Sequence, residues 1–272
     1  MSDLGPRLAS AIVMIILALG ALWLGGRWFV VFWLVAASAI FWEWLGLIGA
    51  QNRLLKAGLG ACVFAILAAL TANGVVEFAI VILMFTALGA AGIERAGKPV
   101  WAAAGMIYAG SLIISVTALR LSLWGGAEAI FWLFAVVWGT DILAYFGGRL
   151  IGGPKLWLRV SPKKTWSGFL TGVISGALAG TILLMNAMPA GQQSVLAYIL
   201  IGLAAGAISQ GGDLMESSIK RHFDVKDSSN LIPGHGGFMD RLDGFITACV
   251  CAALLGVFRG GGVNPATGLL IW

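Results

Sequence analysis

Six of the chain's 12 carboxylates fall within residues 213–243: Asp213, Glu216, Asp224, Asp227, Asp240 and Asp243. Lys220, Arg221, Lys226 and Arg241 are interleaved with them. A second stretch, 149–168, carries Arg149, Lys155, Arg159, Lys163 and Lys164 and no acid. Carboxylates gathered without His or Cys support are hard oxygen ligands, suited to Mg2+ or a similar cation. Two carboxylates could instead serve as the acid and base of glycoside hydrolysis. The interleaved cations argue against that, because they favour the ionised form of both members of such a pair. Acids, bases and a glycine-bearing loop together have the composition of a metal–phosphate site. A solvated loop with ordinary salt bridges has the same composition, and composition alone leaves the two readings open.

Two apolar runs flank the acidic stretch, 195–208 and 245–258, and each is only 14 residues long. A membrane-crossing helix needs roughly 17–25 residues, so both runs are expected to continue into the charged stretch. Continuing the first puts Ser209, Asp213, Glu216, Ser217 and Lys220 on one helical face. Starting the second at Asp240 puts Asp240, Asp243 and Thr247 on one face. Between them Pro233, Gly234, Gly236 and Gly237 forbid a continuous helix. Two half-buried helices joined by a flexible loop would thus present carboxylates toward a common place.

The rest of the chain explains why such a site stands beside lipid. Of 272 residues, 60% are hydrophobic and 11% charged, with a mean hydropathy of +0.95. A soluble domain averages about 45–50% apolar and about 25% charged residues, so both a soluble fold and disorder are excluded. The expectation is an all-α polytopic membrane protein with about nine transmembrane helices, over 8–24, 28–48, 57–72, 75–92, 100–119, 127–148, 169–188, 195–208 and 245–258. The first run is read as a retained span, because Asp3 offsets Arg7 and no cleavage site follows. Alternating the spans puts 14 of the 17 Lys and Arg residues on the side of the N-terminus. By the positive-inside rule that side is cytoplasmic, and the C-terminus is outside. Residues 1–125 form an N-terminal set of helices; 126–272 form a C-terminal set with cytoplasmic catalytic segments at 149–168 and 213–243. Net charge is +5, but the bases lie between apolar runs, so nucleic acid is not expected as a partner. Cys62, Cys249 and Cys251 sit in apolar segments without metal spacing and read as buried hydrophobes.

The run Ser217-Ser218-Ile219-Lys220-Arg221, four residues, then Lys226-Asp227-Ser228-Ser229-Asn230-Leu231-Ile232-Pro233-Gly234-His235-Gly236-Gly237-Phe238-Met239-Asp240-Arg241-Leu242-Asp243 resembles the signature of the phosphatidate cytidylyltransferase (CDP-diacylglycerol synthase) family. Ser161-Pro162-Lys163-Lys164-Thr165-Trp166-Ser167-Gly168 is similar to the family's other cytoplasmic block. Many members carry Glu where Ser167 stands, so Ser167 is given no role. Trp138-Gly139-Thr140-Asp141 through Ala144-Tyr145-Phe146-Gly147-Gly148-Arg149 resembles a third block more weakly.

The resemblance implies an integral-membrane nucleotidyltransferase that converts CTP and phosphatidic acid to CDP-diacylglycerol and pyrophosphate with Mg2+, in phospholipid biosynthesis at the inner membrane. It allows a second cation and a homodimer. Carried onto this chain together with charge logic, it makes Asp213, Asp240 and Asp243 metal ligands, with Glu216 beside them. Lys220, Arg221, Lys226, Asp227 and Arg241 belong to the catalytic set, the bases as phosphate contacts. Lys163, Lys164, Ser217, Gly236 and Gly237 would bind substrate, the glycines by close backbone approach. His235 would donate a hydrogen bond to phosphate or cytosine. Glu43 reads as a snorkelling or hydrogen-bonded carboxylate, and Asp141 is left open between site and span. The alternatives are a CTP-dependent polyprenol or dolichol kinase-like enzyme and a multi-span transporter. A transporter would scatter charge at mid-span, whereas here it sits at helix ends in one half of the chain.

Overall fold

The structure is a computed structural model that describes residues 4–94, 97–232 and 234–272; Asp3, Arg95 and Pro233 and the side chain of Arg7 lie outside the described residues. It is helical almost throughout. Among the described residues nine long helices are α1 (Leu4–Leu24), α2 (Gly26–Leu47), α3 (Arg53–Ala72), α4 (Val76–Ile93), α5 (Pro99–Arg120), α6 (Gly126–Ile151), α7 (Trp166–Ala187), α8 (Val195–His222) and α9 (Met239–Gly260). Among the described residues, eight are long and apolar enough to cross a membrane, and α1 contributes the shorter apolar stretch Ala9–Leu24. The chain is therefore an all-α polytopic membrane protein.

Helix ends follow local chemistry. Pro99 opens α5, where its missing N–H costs nothing. The α1–α2 join turns on Gly25 and Gly26, both at positive φ. Thr165 caps α7 by accepting a hydrogen bond from the Gly168 amide at 3.2 Å. The two short apolar runs of the sequence do extend: α8 has 28 residues and α9 begins at Met239. At 1.5 Å per residue α8 is about 42 Å long, against about 30 Å of hydrocarbon, so roughly two turns project beyond it. Two elements were not expected. A small antiparallel hairpin, β1 (Lys155–Trp157) and β2 (Ser161–Thr165), fills the basic stretch, and a short α10 (Pro265–Leu270) follows α9.

Two compact units are distinguished, Met1–Leu121 with His222–Leu242, and Ser122–Arg221 with Asp243–Trp272. In the first, α5 is buried on nearly all sides, with Leu112, Ile113, Val116 and Leu119 at 0% exposure. Glycines admit large neighbours there: a Cβ at Gly105 would stand 2.6 Å from Trp44 Nε1 and one at Gly60 2.5 Å from the Phe41 ring. In the second, α6 and α7 pack almost backbone to backbone. Gly168, Gly172, Gly176 and Gly180 recur every fourth residue of α7, and a Cβ at Gly172 would meet the Thr140 carbonyl at 2.6 Å. Lipid gives helices no hydrophobic reason to associate, so such small-residue faces, which let backbones approach, are a principal means of packing.

Candidate functional site

The second unit gathers charge at the end of α8. Asp213 lies on α8 (Val195–His222), where it ion-pairs with Lys164 of β2, Nζ to Oδ2, at 2.6 Å. Lys164 also donates to the Gln210 amide oxygen at 3.0 Å, and Gln210 Nε2 donates to Asp141 Oδ1 at 3.3 Å. Ser217 donates to the other Asp213 oxygen at 3.3 Å. Asp243, one helix on, is repelled by Asp213 and Asp141 and attracted by Lys164. Its Oδ1 accepts from the Gly244 amide at 2.8 Å. Three carboxylates, one amide and one ammonium thus form a single electrostatic group drawn from α6, β2, α8 and α9.

Local sequence explains the convergence. Gln210, Asp213 and Ser217 are three and four residues apart on one face of α8. Gly212 and Gly244 bring α8 and α9 close: a Cβ at Gly212 would stand 2.8 Å from the Asp243 carbonyl, and one at Gly244 would stand 2.5 Å from Ser209 Oγ. On β2 successive side chains alternate, so Lys164 turns to Asp213 while Lys163 stands exposed. Ser167, given no role by the sequence, bonds Thr165 and the Gly152 carbonyl. Glu216 is buried and pairs with Lys220 at 2.6 Å, one turn along α8.

The first unit holds the loop between α8 and α9. Asp240 Oδ2 accepts from Ser228 N at 2.9 Å, Ser228 Oγ at 2.8 Å and Gly237 N at 2.8 Å. Glu43 of α2 is fully buried, and its Oε1 accepts from Ser229 Oγ at 2.7 Å and Phe238 N at 2.8 Å. Its Oε2 accepts from Met239 N at 2.7 Å and Ser228 Oγ at 3.2 Å. Those four donors match the roughly four lone-pair sites of a carboxylate. Gly236 and Gly237 do allow close approach, and here it is to carboxylates. A Cβ at Gly237 would stand 2.5 Å from Glu43 Oε1, and one at Gly236, where φ is +80°, would stand 2.7 Å from Asp240 Oδ2. His235 Nδ1 shares a hydrogen bond with Ser10 Oγ at 2.7 Å, and Arg241 Nε donates to the His235 carbonyl at 3.0 Å. Arg221, Lys226 and Asp227 are exposed.

Of the expected metal ligands, Asp213 and Asp243 are therefore brought into one group, Glu216 is tied to Lys220, and Asp240 is clasped by the loop. Asp141 joins through Gln210, which the sequence reading did not single out, although it stands one turn before Asp213. Among the described residues no three His, Cys, Asp or Glu side chains gather into a ready-made metal cluster. The donor chemistry of the Asp213 group nevertheless suits a hard cation: its ligating atoms are oxygens, and its present counter-charge is the Lys164 ammonium.

A profile of the cytidylyltransferase family matches residues 6–258. The chain belongs to that family. The match takes in Glu43, Asp141, Lys164 and the whole of 213–243. Among curated cytidylyltransferases, the phosphatidate cytidylyltransferase of Brucella abortus biovar 1 (strain 9-941) is 40% identical over 268 residues, covering 95% of this chain and 94% of its own length. The Bacillus subtilis (strain 168) protein of that name is 44% identical over 124 residues, 44% of each chain. That of Haemophilus influenzae (strain ATCC 51907 / DSM 11121 / KW20 / Rd) is 39% identical over 154 residues, 53% of this chain and 54% of its own.

Proposed function

We propose that this cytidylyltransferase-family protein joins CTP to phosphatidic acid within the membrane, giving CDP-diacylglycerol and pyrophosphate. The observation that carries the reading is the full-length likeness to phosphatidate cytidylyltransferases. The Asp141, Asp213, Asp243 and Lys164 group supplies chemistry consistent with it.

The lipid phosphate is a monoester whose second pKa is about 6, so at neutral pH it is mostly dianionic. It needs no strong base to attack the α-phosphate of CTP. The obstacle is repulsion between anions, and catalysis is then mainly positioning and charge neutralisation. Segment 213–243 has six acids and four bases, so it repels CTP unless a cation intervenes. Asp213 and Asp243, with Asp141 and Glu216, are the carboxylates we assign to holding Mg2+; Asp240 is assigned a metal-binding role of its own on the loop side. Bound there, Mg2+ would supply charge neutralisation to the phosphates. Lys163, Lys164, Lys220, Arg221, Lys226 and Arg241 contact phosphates, with Lys164 exchanging its carboxylate partner for a substrate oxygen. Ser217 orients Asp213.

We place the N-terminus and the site in the cytoplasm and the protein in the inner membrane, with lipid and a second copy of the chain as partners. The support is the base distribution: counting α1 together with the eight candidate spans, the alternation leaves 14 of 17 Lys and Arg on the N-terminal side. The test supplies purified protein with labelled CTP and a panel of phosphatidate, lysophosphatidate and polyprenol. Labelled CDP-lipid from phosphatidate, with pyrophosphate released, is the expected result. Phosphorylated polyprenol instead would replace this reading with a kinase.

A further inference from the structure

Glu43 lies in an apolar helix, 195 and 196 residues from the two backbone amides it accepts from, Phe238 and Met239. The first amides of a helix lack partners within it and are ordinarily met by a local Ser, Thr, Asp or Asn at the cap. Helix α9 starts at Met239, and the residue before it is Phe238, which has no side-chain acceptor. A distant buried carboxylate does the capping instead. The same carboxylate holds the hydroxyls of Ser228 and Ser229, at the far end of the loop. Arg53, bonded to the Trp42 carbonyl at 2.7 and 2.9 Å, feels its charge.

We propose that Glu43 is a positioning residue of the transfer reaction: by holding both ends of the 228–239 loop it fixes the start of α9, which carries Asp240 and Arg241. The proposal rests on the function given above but not on Glu43 touching substrate. A neutral, polar residue of the same shape could fill the space but could not do the same work. Each Glu43 oxygen faces one backbone N–H and one serine hydroxyl. A hydroxyl can turn round to accept a hydrogen bond; a backbone N–H cannot. Whichever way a glutamine amide is set, its NH2 confronts the amide of Phe238 or of Met239. That leaves a buried donor unpaired at the start of α9, and the first turn must shift. A misplacement of about 1 Å at a reacting centre can cost about 100-fold in rate.

The decisive variant is Glu43→Gln, with Glu43→Asp as the carboxylate-bearing comparison. Three quantities are read: folded yield, hydrogen–deuterium exchange in a peptide spanning 228–242, and steady-state kinetics. We expect Glu43→Gln to fold, to exchange that peptide at least ~10-fold faster, and to lose about 100-fold in kcat. KM for CTP should stay within about threefold, because positioning acts on the reacting arrangement more than on ground-state binding. Glu43→Asp, which keeps both acceptor oxygens, should recover part of kcat. Folded Glu43→Gln with wild-type exchange, or with kcat within threefold of wild type, overturns the proposal. Failure of both variants to fold also overturns it, by making Glu43 a folding residue. Exchange is read without substrate, so a wild-type protein inert toward CTP and phosphatidate would remove the proposed reaction while the loop contact is still decided.

Discussion

Lys164 Nζ stands 2.6 Å from Asp213 Oδ2 and is itself one of the influences that offset the crowding of Asp243 by Asp213 and Asp141. The hairpin thus lends the acidic group a counter-charge that belongs to another element. Lys164 is only partly buried and Asp213 is 33% exposed on its side chain, so solvent screens the pair. Its worth is in the site rather than in stability.

Replacing that ammonium by a neutral side chain of similar length tests the point. Lys164→Met should lower kcat by about 100-fold, the usual scale for deleting one charge-stabilising group. Its folded state should gain more from added Mg2+ than wild type does, because Asp213 then loses its Lys164 ion pair. Thermal melts with and without Mg2+, beside turnover, would show both. An unchanged rate would mean that Lys164 does not act on phosphate.

Asp213→Asn and Asp243→Asn should each cost about 10²–10³-fold or more in CTP-dependent product while the protein still inserts. Near-normal turnover in either would remove it from the ligand set. Asp240→Asn should also impair turnover, but with faster exchange in the loop, since an amide NH2 would meet the donors on Ser228 or Gly237.

Chelation gives an independent check on the cation. EDTA should silence the protein and Mg2+ should restore it. Activity indifferent to chelation would leave the lysines and arginines as the neutralising groups.

Asn230 is exposed on the 228–239 loop. A cysteine there should react with an impermeant thiol reagent only from the cytoplasmic side. Labelling from outside would invert the proposed orientation.

The α6–α7 contact predicts a purely structural defect. Gly172→Val would push a side chain toward the Thr140 carbonyl and Ala144, 2.6 and 2.7 Å from where its Cβ must stand. Overpacking of this sort costs about 1–3 kcal/mol. The loss should appear as a lower melting temperature, whatever happens to turnover.

Much of this was legible in the chain. Fourteen-residue apolar runs are too short to cross lipid, and that arithmetic alone extended α8 to the charged residues and began α9 near Asp240. The 3.6-residue period then placed Asp213 and Ser217 on one face, where they are bonded. The hairpin was not legible, because three- and five-residue strands in a basic, polar stretch leave too little alternation to read. Glu43 is the hydrogen-bonded carboxylate its place near a helix end suggests, but its partners were not legible: they are two backbone amides and two serines 185–196 residues away, and a backbone amide leaves no mark in a sequence. Asp141 was left open because its link, Gln210, carries no charge to draw the eye. The four-residue glycine rhythm of α7 is present in the letters, but which helix it packs against is not.

The loop from His222 to Leu242 groups with the first 121 residues, not with the helices that precede and follow it in the chain. The family's most recognisable motif is therefore not an independent cassette. A shortened gene that kept 122–272 would retain every letter of the hallmark yet lack the buttress that Glu43 provides.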